Sequence, residues 1–253
     1  MILSFENVCA GYGKRQVLQD LNFQIRPHKM TAVLGKNGSG KSTLVSCINQ
    51  QVNYTGRIVC QDRDIRLMTQ QERARAVSIL PQVLPSPSVT VEELVGFGRT
   101  PYLGWNQKLS PQDRQEVDRA MAFAQIDKLR GNLVSTLSGG ERQRAFLATV
   151  LAQDTRLMVL DEPTTYMDVA YQGQFMQLMD RLKGEWKKTL LVVMHDLSLA
   201  LKYADYVVIL KEGKVYFDGS VEECLSSPAL ERVFGVAKQL FARDGKQYVV
   251  FDI

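Results

Sequence analysis

Four short, mostly apolar runs stand out along the chain, and each one stops at a glycine or at polar residues. The runs occupy residues 30–34, 77–80, 157–160 and 190–194, and they lead into Gly35, Gln82, Asp161 and His195. Continuous apolar strands that alternate with helical stretches are typical of a parallel sheet covered on both faces. Ligands of such sheets bind beyond the carboxyl ends of the strands, so the four polar tips predict one shared polar site.

The flanking segments predict two further structural units. Partly alternating runs at residues 2–8, 18–25 and 56–61 predict an antiparallel β region. Residues 85–153 predict a helical lobe with three helices: one at 91–98, one capped by Ser110 with Pro111 at its first position, and one from 138 to about 153. After His195 we expect a helix at 197–203, a hairpin that turns at Glu212 and Gly213, and a last hairpin that turns at Asp244 and Gly245.

Composition narrows the possible classes of protein. The chain has 253 residues, of which 45% are hydrophobic, so it is long enough for one large domain with a buried core. A net charge of +4 is too weak to indicate nucleic acid. We find no secretory signal and no apolar run of the roughly 18 residues that span a bilayer, so any membrane role should go through a partner. The four cysteines are scattered, which favours reduced thiols in a cytoplasmic protein.

The strongest motif lies at residues 35–42, which match the P-loop pattern G-x-x-x-x-G-K-[ST]. Its glycines let backbone N–H groups turn toward phosphate oxygens, and the helix that begins there adds a positive dipole end. Lys41 would reach the β- and γ-phosphates of a nucleotide, and the Ser42 hydroxyl would bind Mg²⁺. The predicted phosphate contacts in this loop are Gly35, Asn37, Gly38, Ser39, Gly40, Lys41, Ser42 and Thr43.

The other strand tips supply candidate catalytic and metal-binding groups. Asp161 is a hard oxygen ligand suited to Mg²⁺, and Glu162 would face the γ-phosphate, where it could polarise a water molecule. An ordinary acidic turn is the structural alternative for this pair. His195 would contact the γ-phosphate, although it could instead cap a helix. Gln82 could touch Mg²⁺ or the attacking water and signal their presence to the helical lobe.

A second glycine-rich segment, at residues 137–141, begins a predicted helix. Ser138 and Glu141 fit a capping box, which is its structural explanation. Gly139 and Gly140 do not favour a helix, since each costs roughly 0.5–1 kcal/mol relative to alanine. They would leave bare N–H groups for an anion, and because the P-loop already wraps one side of a triphosphate, we expect a nucleotide held by another copy of the chain. Tyr12 could stack on adenine or could simply pack.

Taken together, the ordered motifs resemble the nucleotide-binding subunit of an ATP-binding cassette (ABC) transporter. The resemblance covers nearly the whole chain: an aromatic loop at Tyr12, Walker A at 35–42, a Q-loop at Gln82, an LSGG-type segment at 137–141, Walker B at 157–161 with Glu162, a D-loop at Asp168 and a switch His195. It implies an ATPase that uses Mg²⁺ and forms a head-to-tail homodimer, with ATP between Walker A of one copy and Ser138, Gly139, Gly140 and Glu141 of the other.

The expected fold class is α/β. A P-loop NTPase core with a mainly parallel sheet would carry an N-terminal antiparallel β subdomain and an inserted helical subdomain. Residues 1–253 would form a single ABC ATPase domain, in which 1–84 and 154–253 make the core with the antiparallel part and 85–153 make the helical subdomain.

A finer match at 89–102 resembles the importers of iron chelates, haem and vitamin B12, and residues 161–168 and 194–200 are also similar to ferric-siderophore import ATPases. The resemblance implies a peripheral protein on the cytoplasmic face of the inner membrane. Its partners would be integral membrane permease subunits and, indirectly, a periplasmic or lipid-anchored substrate-binding protein, with no nucleic acid.

Three other classes share parts of this pattern. An ABC ATPase for iron–sulfur cluster assembly has similar length and motifs and is the main alternative. DNA-repair or chromosome-organising ATPases need a long coiled coil, and the chain shows no sustained heptads. Assignment as a monomeric P-loop kinase would not explain the glycine-rich segment at residues 137–141. The cargo stays open among ferric chelates, haem, cobalamin, manganese, zinc and molybdate.

Overall fold

The computed structural model describes residues 1–104, 107–165, 167–243 and 246–252. Its strands are β1 Leu3–Tyr12, β2 Arg15–Ile25, β3 Met30–Leu34, β4 Tyr54–Cys60, β5 Arg63–Asp64, β6 Val77–Leu80, β7 Leu157–Asp161, β8 Thr189–Val193, β9 Tyr206–Lys211, β10 Lys214–Ser220, β11 Ala237–Arg243 and β12 Lys246–Asp252. Its α-helices are α1 Lys41–Ile48, α2 Gln70–Ala76, α3 Val91–Gly96, α4 Pro111–Ala124, α5 Gly139–Ala152, α6 Val169–Glu185, α7 Leu197–Tyr203, α8 Val221–Ser226 and α9 Ala229–Phe234. Short 3₁₀ helices lie at Ile65–Leu67, Phe97–Tyr102, Asp127–Leu129 and Val134–Thr136.

The four apolar runs form neighbouring strands of one sheet, as predicted. The strand order is β10-β9-β3-β8-β7-β6, and all neighbours are parallel except β9 and β10. Asp161 pairs with Val193, and Leu80 pairs with Leu160, so the polar residues that follow these strands leave the sheet at the same edge. The predicted α/β class with a mainly parallel sheet is confirmed.

Both faces of this sheet are buried, which explains why its strands are apolar throughout. Along β3, Ala32 and Leu34 belong to a hydrophobic cluster shared with helices α3 to α6, whereas Val33 belongs to a cluster on the opposite face. That opposite cluster includes Leu44 of α1 and Leu3 of the four-stranded antiparallel sheet β2-β1-β4-β5. Alternation of side chains along a strand therefore divides one apolar run between two cores.

The predicted helical lobe contains α3, α4 and α5, and Ser110 caps α4 in front of Pro111. A single hydrophobic cluster runs from Val95 and Leu147 in these helices to Leu160 in the sheet. The division of the chain into a core and an inserted subdomain at residues 85–153 therefore stays a prediction. The hairpin of β9 and β10 turns at Glu212 and Gly213 as expected.

Some boundaries differ from the prediction. The helix predicted for 91–98 ends at Gly96, and a 3₁₀ helix follows it. Pro101 cannot donate the next helical hydrogen bond. Gly98 packs so closely that a Cβ atom there would lie 2.2 Å from the Thr149 carbonyl oxygen. In the last hairpin β11 pairs with β12, and its predicted turn residues Asp244 and Gly245 lie outside the described residues.

The 3₁₀ segment is fixed by a buried ion pair between Arg99 and Asp113. Arg99 Nε donates to Asp113 Oδ1 at 2.9 Å, and Arg99 Nη1 donates to the Ala152 carbonyl oxygen at 2.8 Å. The guanidinium also lies 4.0 Å from the centre of the Tyr102 ring. Hydrogen bonds from Ser110, followed by the Arg99 contact, hold the pKa of Asp113 below its usual value. Arg99 thus joins the start of α4 to the end of α5.

The same segment connects these helices to the sheet. The Pro101 carbonyl oxygen accepts hydrogen bonds from Gln71 Nε2 at 2.8 Å and from Arg75 Nε at 2.9 Å. Both donors lie on α2, which leads directly into β6. The segment therefore links the far end of α5 to the strand that precedes Gln82.

Within the described part of the chain, no helix is long and apolar enough to cross a bilayer.

Replacement of Arg99 by alanine should destabilise the protein. The Asp113 carboxylate would stay buried without its cation, and breaking such a pair costs about 3 kcal/mol of unfolding free energy. Denaturant unfolding followed by circular dichroism measures the loss. The control is Arg114→Ala, which removes an exposed charge next to Asp113 and should change the free energy by less than about 0.5 kcal/mol.

The Arg99→Ala effect should also depend on pH. Because folding lowers the pKa of Asp113, the stabilisation is fully present above the pKa of an unfolded aspartate, about 3.9. It declines as the pH falls through the lower folded value, so the difference in stability between wild type and variant should become smaller in strong acid. Equal stability of the two proteins at neutral pH would contradict the assignment of Arg99 as a structural partner.

Candidate active site

The loop between β3 and α1 takes a conformation that requires glycine. Gly38 has φ 79° and Gly40 has φ 107°, which is the left-handed region that side chains disfavour. A Cβ atom at Gly40 would also lie 2.5 Å from Leu18 Cδ2 in the core. Gly40 caps α1 without a side-chain hydrogen bond, so the first N–H groups of the helix are left for an outside acceptor. The loop therefore has the geometry of an anion site.

Lys41 places a buried cation beneath this loop. Its Nζ donates to the Gly35 carbonyl oxygen at 2.7 Å and to the Lys36 carbonyl oxygen at 3.2 Å. Burial lowers the pKa of Lys41, while the charges of Glu162 and Asp161 oppose that shift. The ammonium group is thus held by the carbonyl oxygens that follow β3, close enough to the carboxylates at the end of β7 to be influenced by their charge.

The Glu162 carboxylate collects contacts from the ends of three strands. Gln82 Nε2, beyond β6, donates to Glu162 Oε2 at 2.5 Å, and Thr165 Oγ1 donates to the same oxygen at 3.2 Å. His195 Nε2, beyond β8, contacts Glu162 Oε1. Glu162 itself has φ 48°, an uncommon conformation for a residue with a side chain, and its N–H donates to the Val193 carbonyl oxygen at 3.1 Å. The structure therefore brings the three predicted tip residues together.

Asp161 has the character of a cation ligand. Its Oδ1 is buried and has no hydrogen-bond partner among the described residues. Burial, and after it the charge of Glu162, raises the pKa of Asp161, while Lys41 and His195 act in the opposite direction. A buried carboxylate oxygen without a donor is costly, and a hard cation would satisfy it. Over the described residues no three His, Cys, Asp or Glu side chains form a metal-binding group, so Mg²⁺ would also need hydroxyl, amide and phosphate oxygens.

A cleft of about 480 Å³ opens over the P-loop. Its walls include Tyr12, which is 55% exposed, as well as Glu162 and His195. The lining residues are Tyr12, Arg15, Val17, Asn37, Gly38, Gly40, Lys41, Ser42, Thr43, Glu162 and His195. The sequence patterns assigned no role in the site to Arg15, Val17 or Thr165. Their position close to Tyr12 and to Glu162 in the chain was the only available signal.

Residues 138–141 lie elsewhere in the same chain, and none of them lines this cleft. The capping box is complete: Ser138 Oγ accepts from the Glu141 N–H at 3.4 Å, and Glu141 Oε2 accepts from the Ser138 N–H at 2.9 Å. The Ser138 side chain is exposed at this helix start. Asp168 is also outside the cleft, and its Oδ1 caps α6 by accepting from the Tyr171 N–H at 3.0 Å.

Neither backbone conformation nor close packing within the chain requires glycine at positions 139 and 140. Neither has a positive φ. A Cβ atom at Gly139 would meet nothing within 4 Å, and one at Gly140 would lie 3.5 Å from the Tyr171 ring, an ordinary contact. The P-loop glycines are therefore required by the fold, whereas Gly139 and Gly140 are not.

The family model for ABC transporters matches residues 18–165. The chain belongs to the ABC transporter family. The solved ATP-binding cassette MJ0796, a dimer bound to ADP and Pi, has the same fold, with a TM-score of 0.74 and 24% identity over 87% of this chain and 99% of that chain.

Individual relatives within the family are similar over nearly the whole chain. The iron(3+)-hydroxamate import ATP-binding protein FhuC of Bacillus subtilis is 37% identical over 94% of this chain and 89% of its own length. The petrobactin import ATP-binding protein FpuC of Bacillus anthracis is 34% identical over 98% of this chain and 92% of its own length. A solved metal-chelate type ABC transporter, in an inward-facing conformation, matches with a TM-score of 0.86 and 25% identity over 99% of this chain and 96% of that chain.

The two kinds of glycine in this ABC ATPase should respond in opposite ways to substitution by alanine. Gly40→Ala should lower the free energy of unfolding by about 1–2 kcal/mol, because the backbone there is left-handed. Gly139→Ala should leave it unchanged or raise it by about 0.5 kcal/mol, because the position is helical and open. Chemical denaturation of both variants makes the comparison. A Gly139→Ala protein less stable than Gly40→Ala would refute this distinction.

Proposed function

We propose that this chain is the ATP-hydrolysing subunit of an ABC importer that takes up a ferric-siderophore-type iron chelate through a separate membrane permease. The main support for the cargo is that FhuC and FpuC are named for iron(3+)-hydroxamate and petrobactin import. These similarities favour the importer over the alternative of an iron–sulfur cluster assembly factor. Haem and cobalamin stay open as cargo, since the permease and its substrate-binding protein would select it.

The cleft suits ATP in one orientation. The Tyr12 ring would stack on adenine, and the phosphates would follow the loop from Gly35 to Thr43 toward Glu162. Asn37, Gly38, Ser39, Gly40 and Lys41 would supply N–H groups around the β- and γ-phosphates. The orphaned Asp161 oxygen, the Ser42 hydroxyl and the Gln82 amide oxygen would hold Mg²⁺, which would neutralise charge on the phosphates.

Hydrolysis would follow from the position of Glu162. A water molecule attacks the γ-phosphorus atom while Glu162 accepts one of its protons, and the bond from phosphorus to the ADP oxygen breaks. Lys41 and His195 offset the charge that develops on the transferred group. Gln82 and Thr165 orient the carboxylate, since both donate to its Oε2.

The contrast between the P-loop glycines and Gly139 and Gly140 is the main support for an ATP site shared by two copies of the chain. Gly139 and Gly140 are free of steric and conformational demands in their own chain, and they occupy an exposed helix start. Bare N–H groups at a helix start favour an anion from outside. We infer that Ser138, Gly139, Gly140 and Glu141 close over ATP held by a second copy, with Asp168 near the same interface. Chemistry would then wait for dimer closure.

In this scheme the protein sits on the cytoplasmic face of the inner membrane. It is a peripheral subunit bound to integral permease subunits, and a periplasmic or lipid-anchored receptor delivers the cargo. Two copies per transporter follow from the shared ATP sites. Isolation of the tagged protein from mild-detergent membranes should yield a polytopic membrane protein as partner, and its absence would count against the importer assignment.

Glu162→Gln should nearly abolish turnover while ATP still binds. The amide keeps the size of the side chain but cannot accept the proton, so we expect ATP hydrolysis to fall by at least about 100-fold. Steady-state phosphate production and binding of a fluorescent ATP analogue give the two measurements. Glu185→Gln, on the exposed face of α6, is the control and should retain the wild-type rate. Substantial hydrolysis by Glu162→Gln would remove Glu162 from its role as base.

Ser138→Arg should block ATP-dependent dimerisation. A large cation would stand where the partner's phosphates must approach, and sedimentation velocity of the Glu162→Gln background with ATP would detect the missing dimer. Ser135→Arg is the matched control, because Ser135 is exposed three residues earlier and outside the capping box. Thermal unfolding checks that loss of the cap has not unfolded the variant. Full dimerisation by a folded Ser138→Arg protein would disprove the composite site.

A further inference from the structure

A second cavity, distinct from the nucleotide cleft, also lies against Glu162. It has a volume of about 220 Å³, far above the roughly 10–15 Å³ that a single water molecule requires. Glu162 belongs to the walls of both cavities. The residues that line the second cavity are Gln82, Val83, Leu84, Gly139, Arg142, Gln143, Glu162, Pro163, Thr165 and Met167.

Arg142 is the one cation among the described residues that line this cavity. It lies in the first turn of α5 and is half-buried. Its Nε is shielded from solvent and has no hydrogen-bond partner among the described residues. Arg144, two positions later, is by contrast bound to Gln125 Oε1 at 2.9 Å and to Gln174 Oε1 at 2.8 Å. An unsatisfied donor of a guanidinium group is costly, so the position of Arg142 calls for an anionic ligand.

The remaining walls suit a weakly held anion. Glu162 is the single carboxylate there among the described residues, and its oxygens are engaged by Gln82, Thr165 and His195. These contacts reduce its repulsion of a second anion without removing it. Gln82 and Gln143 offer amide N–H groups, and Gly139 brings the start of α5 to the cavity.

We propose that this cavity holds the inorganic phosphate produced by hydrolysis before it leaves the protein, with Arg142 as its principal contact. The inference rests on the proposed ATPase function. When a partner copy covers the mouth of the nucleotide cleft, the free phosphate faces Glu162 and cannot leave by the way ATP entered. It moves past the Gln82–Glu162 hydrogen bond into the second cavity, and no covalent bond forms or breaks in that step.

Phosphate binding to the ADP-loaded protein tests the site directly. The probe is radiolabelled inorganic phosphate in equilibrium dialysis with the full chain, saturated with ADP and Mg²⁺. Loss of the charge-assisted contacts in Arg142→Ala should weaken phosphate binding about tenfold. Arg142→Lys, which keeps the charge, should bind nearly as the wild type does, and so should Arg114→Ala, which removes an exposed charge from the neighbouring helix α4.

Release kinetics supply the second readout. Rapid-quench measurement of ATP cleavage should give the same rate for Arg142→Ala and wild type, while a fluorescent phosphate sensor should detect slower release by the variant. A purely structural effect of the substitution would slow cleavage and release together, and thermal unfolding would show it independently.

Three outcomes would overturn the proposal: no measurable phosphate binding by the wild type at millimolar concentration, equal binding by Arg142→Ala, or phosphate inhibition that is strictly competitive with ATP. The last result would place the phosphate in the nucleotide cleft. These outcomes are distinct from failure of the proposed function, which would appear as absence of ATP hydrolysis by the wild-type protein.

Discussion

The site depends on the hydrogen bonds that satisfy the buried carboxylate of Glu162. This residue follows β7, and side chains from beyond β6 and β8 converge on its two oxygens. A carboxylate in such a position must be satisfied by donors, because an isolated buried charge is prohibitively costly. The parallel sheet meets that demand, since neighbouring strands end at the same edge. The catalytic arrangement is thus a consequence of strand order.

The rest of the molecule holds that edge in place from two sides. One core cluster joins the sheet to α1 and the antiparallel strands, and the other joins it to the helices that carry residues 138–141. Arg99 and the Pro101 carbonyl oxygen link the far end of α5 to α2 and hence to β6. Gln82, at one end of this path, and Gly139, at the other, both face the second cavity. Both ends of this path therefore lie at the cavity that Glu162 also lines.

One copy of the chain brings some of the predicted site residues together in a single cleft and leaves others outside it. The P-loop residues, Glu162 and His195 line one cleft within a single chain. Residues 138–141 begin α5 outside that cleft, and neither of their glycines is required by a steric clash or by a positive φ. The half-buried Arg142 follows this segment in the first turn of α5 and lines the second cavity. In the proposed function, separate groups on one helix and one sheet edge would then control ATP binding, dimer closure and phosphate release.

The sequence alone determined the parallel strands, the P-loop and the polar tips, because each depends on local patterns: apolar runs, glycine spacing and the residue after each strand. It also placed Met30–Leu34, Val77–Leu80 and Leu197–Tyr203 at their observed bounds. Only the tertiary structure decided the strand order, the contacts of Glu162 with Thr165 and His195, the Arg99–Asp113 pair and the cavity beside Arg142. These features join residues through packing between distant segments, and neither hydrophobic periodicity nor motif spacing encodes such a contact.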